Sequence, residues 1–129
     1  MKIINVAIAV VFQDNHVLVA LRHPEQHQGG LWEFPGGKVE ANETFAQAAI
    51  RELAEEVGVI APSAELIWQT SHDYGDRQVN LQAFAVRQWQ GQPQSNEGNP
   101  LQWVALDKLS ELEMPAANQP LLQLLAATI

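Results

Sequence analysis

Residues 44–58 carry a start signal, an apolar face and a stop signal for one helix. Thr44 and Gln47 have the spacing of a capping box, in which each side chain accepts a hydrogen bond from a backbone N–H at the helix start. Gly58 is placed to end the helix, because glycine readily adopts the left-handed conformation common there. The apolar residues between these signals recur at helical spacing and are Phe45, Ala48, Ala49, Leu53 and Val57. The segment therefore predicts an amphipathic helix.

Strands are predicted on both sides of this helix. Gln13-Asp14-Asn15 is a turn signal between two runs rich in β-branched residues, which predicts a β-hairpin. Further strands are predicted at residues 31–37, ending at Pro35-Gly36-Gly37, at residues 65–89 as a pair joined through Gly75-Asp76, and at residues 101–106. Residues 91–100 form a loop, and residues 106–112 and 120–129 predict two helices. Because these elements lack a regular βαβ alternation, the expected class is α/β (α+β), with a mixed sheet between helices.

Length and composition restrict the class of protein. A chain of 129 residues has room for one core, so we expect a single domain spanning residues 1–129. The longest apolar run, residues 6–12, is too short to span a membrane, and the N-terminal residues lack the pattern of a signal peptide. The absence of cysteine excludes disulfides and thiolate metal sites and agrees with a cytoplasmic location. A net charge of −8 argues against binding to a nucleic acid polymer or an anionic membrane.

Glu52, Glu55 and Glu56 share one region of the predicted helix surface in a chain that is already acidic. Like charges four residues apart repel by roughly 0.2–0.5 kcal/mol per pair, so a compensating interaction is expected. One interpretation is an ordinary solvated acidic face. The other is a metal site, because carboxylate oxygens are the ligands that Mg²⁺ and Mn²⁺ prefer. A bound cation would remove the repulsion and would also let an acidic chain bind a small phosphate-bearing ligand.

The spacing of these glutamates relative to their neighbours favours the metal site. The residues concerned are Gly37, Glu43, Arg51, Glu52, Glu55, Glu56 and Gly58, with aliphatic residues at Leu53 and Val59. They match the Nudix box at every defined position, and a chance match is on the order of 10⁻⁸ per starting point. The chain thus resembles the Nudix hydrolase family. The resemblance implies the Nudix α/β/α sandwich and hydrolysis, dependent on Mg²⁺ or Mn²⁺, of a nucleoside diphosphate linked to another group.

The same resemblance implies roles for residues of the box. The expected metal ligands are Glu52, Glu55, Glu56 and the carbonyl oxygen of Gly36. Glu43 and Arg51 are expected to form a salt bridge that braces the loop against the helix. Either Glu52 or a glutamate from outside the box would orient or deprotonate the attacking water.

Beyond the box, the chain resembles the MutT group of this family in residues 31–40, 95–100 and 114–122. That likeness implies hydrolysis of 8-oxo-dGTP to the monophosphate and pyrophosphate. Glu97 falls at the position of a further loop carboxylate, expected to act on the metal or the water; the alternative is an exposed loop glutamate. The positions matching residues that line the nucleotide site are Arg22, His27, Glu33, Phe34, Pro35, Gly36, Arg77 and Asn118. Arg22 and Arg77 could equally be surface charges at strand ends, and His27 a solvated loop residue.

Asn118 has two interpretations. Its side chain could cap the C-terminal helix. It could instead recognise the oxidised base, because guanine presents two adjacent acceptors, O6 and N7, whereas N7 of 8-oxoguanine carries a proton. A carboxamide offers one N–H donor and one acceptor, which pairs with the oxidised edge and meets a mismatch at the unmodified one.

Two alternatives to an 8-oxo-dGTP enzyme remain. Trp32 follows Gly30-Leu31 in a segment shared with related small enzymes that take cytidine or methylated pyrimidine nucleotides, which makes a pyrimidine-nucleotide diphosphatase the nearest rival. A non-catalytic nucleotide-binding domain is disfavoured, since such domains usually lose the box glutamates. The expected partner is a small-molecule nucleotide, and the chain could be a monomer or a dimer.

Overall fold

The computed structural model describes residues 2–22, 30–115 and 118–127. The elements in chain order are β1 (Lys2–Gln13), β2 (His16–Leu21), β3 (Trp32–Glu33), β4 (Gly36–Lys38), α1 (Phe45–Val57), β5 (Glu65–Asp73), β6 (Arg77–Val86), β7 (Leu101–Ala105), a 3₁₀ helix (Leu106–Glu111) and α2 (Gln119–Ala126). Within these residues no helix has the length and apolar character needed to cross a membrane.

Helix α1 begins and ends where the sequence predicts. The Thr44 hydroxyl accepts a hydrogen bond from the Gln47 backbone N–H at 3.0 Å, and the Gln47 side chain accepts one from the Thr44 backbone N–H at 2.8 Å. Gly58 ends the helix at φ 71°, and its N–H donates to the carbonyl of Ala54. The buried side chains of α1 are Ala48, Ala49, Leu53 and Val57. The predicted capping box, apolar stripe and stop signal are therefore confirmed.

Strand β1 runs between two cores. It pairs in parallel with β6 and antiparallel with β2 and β4, so the sheet is mixed. Because successive side chains of a strand point to opposite faces, Ala7 and Ala9 pack under α1, whereas Ile8 and Val10 pack with the 3₁₀ helix and α2. Helices cover both faces of the sheet, which confirms the expected α/β/α arrangement.

The β1–β2 hairpin opens away from its turn. Asp14 and Asn15 both have positive φ. The two strands pair only beside this turn, where Phe12 lies opposite Val17 and Gln13 lies opposite His16. Farther along, β1 pairs with β4, whereas β2 pairs with β3 and β7. The segment that links β3 to β4 therefore lies where the two hairpin strands have parted.

The predicted strand break at Pro35-Gly36-Gly37 is confirmed at Pro35 and was wrong at the two glycines. The break lies one step earlier, at Phe34–Pro35, and Gly36 begins a new strand that pairs with Ile8 of β1. A Cβ atom on Gly36 would lie only 2.7 Å from the Cα of Ile8, so glycine is what allows this close pairing. The sequence showed a flexible glycine pair but not the distant strand that it contacts.

Candidate active site

Three glutamates from three different elements line one small cavity. Glu33 comes from β3, Glu56 from α1, and Glu97 from the loop between β6 and β7. The cavity has a volume of about 20 Å³. A single water needs roughly 10–15 Å³, so the space suits one water or a small ion. The remaining lining residues are Ala20, Val57, Ser95, Asn99 and Leu101.

Glu56 is poorly compensated in this cavity. Burial raises the pKa of its carboxyl group from 4.5 to about 8, and the neighbouring carboxylates of Glu52, Glu97 and Glu33 add to the rise. The backbone N–H of Gly36, which donates to the Glu56 carboxyl at 3.0 Å, opposes it. A cation beside Glu56 would lower the free energy of its charged form.

Arg51 neutralises the other box carboxylates. Its guanidinium binds Glu43 through two bonds, Nε to Oε2 at 2.8 Å and Nη2 to Oε1 at 2.9 Å. Nη1 donates to Glu52 at 2.9 Å and to Glu55 at 3.2 Å, and Nη2 also reaches the Lys38 carbonyl at 3.1 Å. The charge repulsion along α1 is therefore already reduced by the protein itself, whereas the sequence suggested only a metal for that purpose.

The Arg51–Glu43 pair stays ionised over a wide pH range. The hydrogen bond from Arg51 lowers the pKa of Glu43 from 4.5 to about 2, with help from the Glu40 backbone N–H. The hydrogen bond to Glu43 in turn raises the pKa of Arg51 beyond its already high value. Since Arg51 lies on α1 and Glu43 on the preceding loop, the pair joins these two segments.

Gly37 makes room for the carboxyl group of Glu52. A Cβ atom on Gly37 would lie 2.7 to 2.9 Å from the Glu52 Cδ, Oε1 and Oε2 atoms. Any side chain at this position would displace Glu52. The sequence marked Gly37 as a box position without giving it a role, and its signal was the pair of consecutive glycines before a run of glutamates.

Some of the residues expected at the nucleotide site form an ion pair at the cavity, and others are buried in the core. Arg22 Nη1 forms an ion pair with Glu33 Oε2 at 2.7 Å at the edge of the cavity. Phe34 is buried among the side chains under α2, with Trp32 packed against the same core. Pro35 is also buried, and its carbonyl accepts a hydrogen bond from the Ala9 N–H at 2.8 Å.

Arg77 lies away from the glutamates. It pairs with Lys2 at the start of β1, six residues before Ile8, the partner of Gly36. That separation is about 20 Å at ~3.3 Å per residue. The Arg77 guanidinium lies 5.1 Å from the ring centre of Tyr74. The structure therefore does not bring Arg77 to the glutamate cavity.

Asn118 is a buried polar residue, only 9% exposed, directly before α2. Its side chain makes no capping hydrogen bond, and its backbone N–H donates to the carbonyl of Pro115 at 2.9 Å. The capping interpretation of its side chain was therefore wrong. His27 lies outside the described residues.

The carboxylates fit a divalent cation in chemistry, although not in their present orientation. Within residues 2–22, 30–115 and 118–127, no three acidic or histidine side chains stand close enough to hold a metal ion together. Among the described residues, neither Glu56 nor Glu97 takes part in an ion pair. Carboxylate oxygens beside a buried, uncompensated carboxyl suit Mg²⁺ or Mn²⁺.

The chain is similar to known proteins over most of its length. The model of the NUDIX domain matches residues 6–124. The chain is 34% identical to the 8-oxo-dGTP diphosphatase of Escherichia coli K12, over 95% of each protein. It is 36% identical to the CTP pyrophosphohydrolase of the same organism, over 95% of this chain and 91% of that protein. A structure from a study of MutT from Aliivibrio salmonicida and Vibrio cholerae superposes with a TM-score of 0.90 at 31% identity, covering 99% of this chain and 100% of that chain.

Replacing Glu43 by Gln should remove a pH-dependent part of the stability. The pKa of Glu43 is lowered in the folded protein from 4.5 to about 2, so its ion pair stabilises the fold above pH 4.5, and this stabilisation is lost as the pH falls toward 2. We expect Glu43→Gln to have a lower urea midpoint than the wild type near neutral pH, and the difference to shrink below pH 4.5.

The matched control is Glu65→Gln, at an exposed position at the start of β5. Its urea midpoint should follow that of the wild type at every pH. A deficit in Glu43→Gln that stays constant from neutral to acidic pH would show that the ion pair does not carry this stability.

Proposed function

Because the chain belongs to the NUDIX domain family, we propose that it is a nucleoside triphosphate diphosphatase that hydrolyses 8-oxo-dGTP to the monophosphate and pyrophosphate. Such an activity removes an oxidised nucleotide from the precursor pool and so prevents mutation. The observation that carries the proposal is the cavity lined by Glu56 of α1 together with Glu33 and Glu97. The similarity to an 8-oxo-dGTP diphosphatase over 95% of both chains supports the substrate.

The proposed metal ligands are Glu52, Glu55, Glu56, Glu97 and the carbonyl oxygen of Gly36. Bound Mg²⁺ or Mn²⁺ would stabilise negative charge on the phosphate oxygens. Glu52 or Glu97 orients or deprotonates the attacking water, and the cavity beside Glu97 has the size of one water. Arg51 holds the carboxyl group of Glu52 in place through its bond at 2.9 Å.

Substrate contacts are proposed on both sides of the opened hairpin. Arg22, held by Glu33 at 2.7 Å, supplies positive charge at the cavity edge for a phosphate oxygen. Asn118 recognises the oxidised base through its N–H donor and its carbonyl acceptor. Its low exposure, 9%, makes a mismatch with unmodified guanine costly. The other proposed substrate-binding residues are His27, Phe34, Pro35 and Gly36, whereas the position of Arg77 beside Tyr74 does not support the role that the resemblance implied for it.

A pyrimidine nucleotide is the second candidate substrate. Trp32 packs against the core beneath α2, on the same side of β3 as Phe34. The chain is also 36% identical to a CTP pyrophosphohydrolase. A bulky indole on this side would narrow the space for a purine, so the two substrates must be compared directly.

The cellular setting is proposed from the charge and the substrate. A net charge of −8 disfavours a nucleic acid polymer as substrate. The free nucleotide pool and a chain without cysteine both agree with the cytoplasm.

A panel of nucleotides with Mg²⁺ tests the proposed function. We expect the highest kcat/KM with 8-oxo-dGTP, compared with dGTP, CTP, 5-methyl-dCTP and ADP-ribose, and release of monophosphate and pyrophosphate. A preference for CTP or 5-methyl-dCTP would assign the chain to the second candidate. No hydrolysis of any of the five would contradict a diphosphatase.

Replacing Glu56 by Gln should abolish the response to Mg²⁺. The substitution keeps the shape of a buried side chain and removes its charge, so the protein should fold. We expect kcat to fall by at least about 100-fold. Loss of a residue that only supports a metal ligand already costs about 10- to 100-fold, and loss of the ligand itself should cost more. In thermal melts, Mg²⁺ should raise the Tm of the wild type and leave that of Glu56→Gln nearly unchanged. Glu65→Gln, an exposed control, should keep both responses; equal Tm shifts in Glu56→Gln and the wild type would remove Glu56 from the metal site.

Replacing Asn118 by Ala should reduce selectivity for the oxidised base. Two hydrogen bonds lost in a desolvated site correspond to about 2–4 kcal/mol, or on the order of 30- to 1,000-fold in the ratio of kcat/KM for 8-oxo-dGTP over dGTP. Activity on dGTP should change little. Asn118→Asp keeps the shape but cannot donate to O6, so it should also lose selectivity. Undiminished selectivity in both variants would exclude Asn118 from base recognition.

A further inference from the structure

The loop of residues 91–100 is joined to the end of α1 by two backbone bonds. The N–H of Gln94 donates to the carbonyl of Val57 at 3.0 Å, and the N–H of Asn96 donates to the carbonyl of Glu56 at 2.9 Å. The last carbonyls of a helix have no partner inside it. The loop therefore supplies donors that the end of α1 lacks.

Two asparagine side chains extend this attachment on either side of Glu97. Asn96 Nδ2 donates to the carbonyl of Glu55 at 3.1 Å, in the last turn of α1. Asn99 Nδ2 donates to the carbonyl of Leu21 at 2.8 Å, at the end of β2. The N–H of Leu21 returns a bond to the carbonyl of Pro100 at 3.0 Å. The loop is thus fixed to a helix before Glu97 and to a strand after it.

The position of Glu97 needs such support. It lines the cavity with Glu56 and Glu33. Glu97 is itself exposed, and the surrounding side chains do not bury it in place. Gly98 at φ 85° turns the chain directly after it. The two asparagine bonds therefore fix the backbone on both sides of an exposed glutamate.

We propose that Asn96 and Asn99 are positioning residues that hold Glu97 at the cavity. This inference rests on the proposed function, because it assigns Glu97 a task in hydrolysis. The two residues act through the loop backbone: each side chain donates to a main-chain carbonyl of an element that already carries part of the site. The sequence showed Glu97 between two asparagines, but their partners lie 41 and 78 residues away along the chain.

Single substitutions test the attachment. Asn96→Ala and Asn99→Ala each remove one side-chain donor and keep the backbone bonds, so kcat should fall by about 2- to 10-fold, the effect of one hydrogen bond. KM for the nucleotide should change less, and the Mg²⁺ concentration for half-maximal rate should rise. Asn96→Asp, which has the same shape without the donor, should behave like Asn96→Ala. The matched control is Gln94→Ala, which deletes an exposed carboxamide from the same loop and keeps the backbone bond to Val57; it should match the wild type.

A double-mutant cycle with Glu97→Gln separates positioning from general stability. If Asn96 acts through Glu97, Asn96→Ala should slow the wild type but cause little further loss in Glu97→Gln. Effects that multiply in the double variant would overturn the proposal. If Glu97→Gln hydrolyses the nucleotide as fast as the wild type, the proposal is also overturned, because Glu97 then has no task in hydrolysis. In that case, activity of the unmodified protein on the nucleotide panel would still support the proposed function.

Hydrogen exchange provides a readout that does not depend on activity. In metal-free protein, Asn96→Ala and Asn99→Ala should speed hydrogen exchange of the backbone amides at positions 94 and 96, because the loop opens more often. Exchange in the middle of α1 should not change. Unchanged exchange of the loop amides in both variants would overturn the attachment, whatever the activity of the enzyme.

Discussion

The guanidinium of Arg51 is the interaction on which the arrangement of the site depends. All five of its N–H groups are used: they bind Glu43, Glu52 and Glu55 and the carbonyl of Lys38. Two of these partners precede α1 and two lie on it, so one side chain joins the end of β4, the following loop and the helix. Without it, the loop would be free to move and the carboxylates of α1 would repel without compensation.

The distribution of positive charge leaves one region of the site negative. Arg51 forms an ion pair with Glu52 on one side of the site, and Arg22 forms one with Glu33 on the other. Between them, Glu56 is buried with a raised pKa. A structure that pairs the outer carboxylates and leaves the central one uncompensated would be stabilised by a cation at the centre, since binding would remove a cost already present in the fold.

The sequence predicted what local interactions determine. The capping box at Thr44, the stop at Gly58 and the buried stripe of α1 depend on neighbours within one helix, and all three were correct. The strand at Gly36 depends on pairing with Ile8, far away in the chain, and was missed. The resemblance implied the pair of Arg51 with Glu43, which the structure contains, but not the bonds from Arg51 to Glu52 and Glu55. Those bonds depend on how side chains from the loop and the helix meet. The attachments of Asn96 and Asn99 were missed for the same reason.

The alternation of β3 separates the carboxylates from the apolar core. Glu33 points to the cavity beside α1, whereas its neighbours Trp32 and Phe34 pack toward α2, where Asn118 also lies. Since adjacent residues of a strand face opposite sides of a sheet, a substitution at Trp32 alters the α2 side and leaves the carboxylates untouched. The side of the sheet that faces α1 therefore carries the carboxylates, while the side that faces α2 carries the apolar core with Trp32 and Phe34.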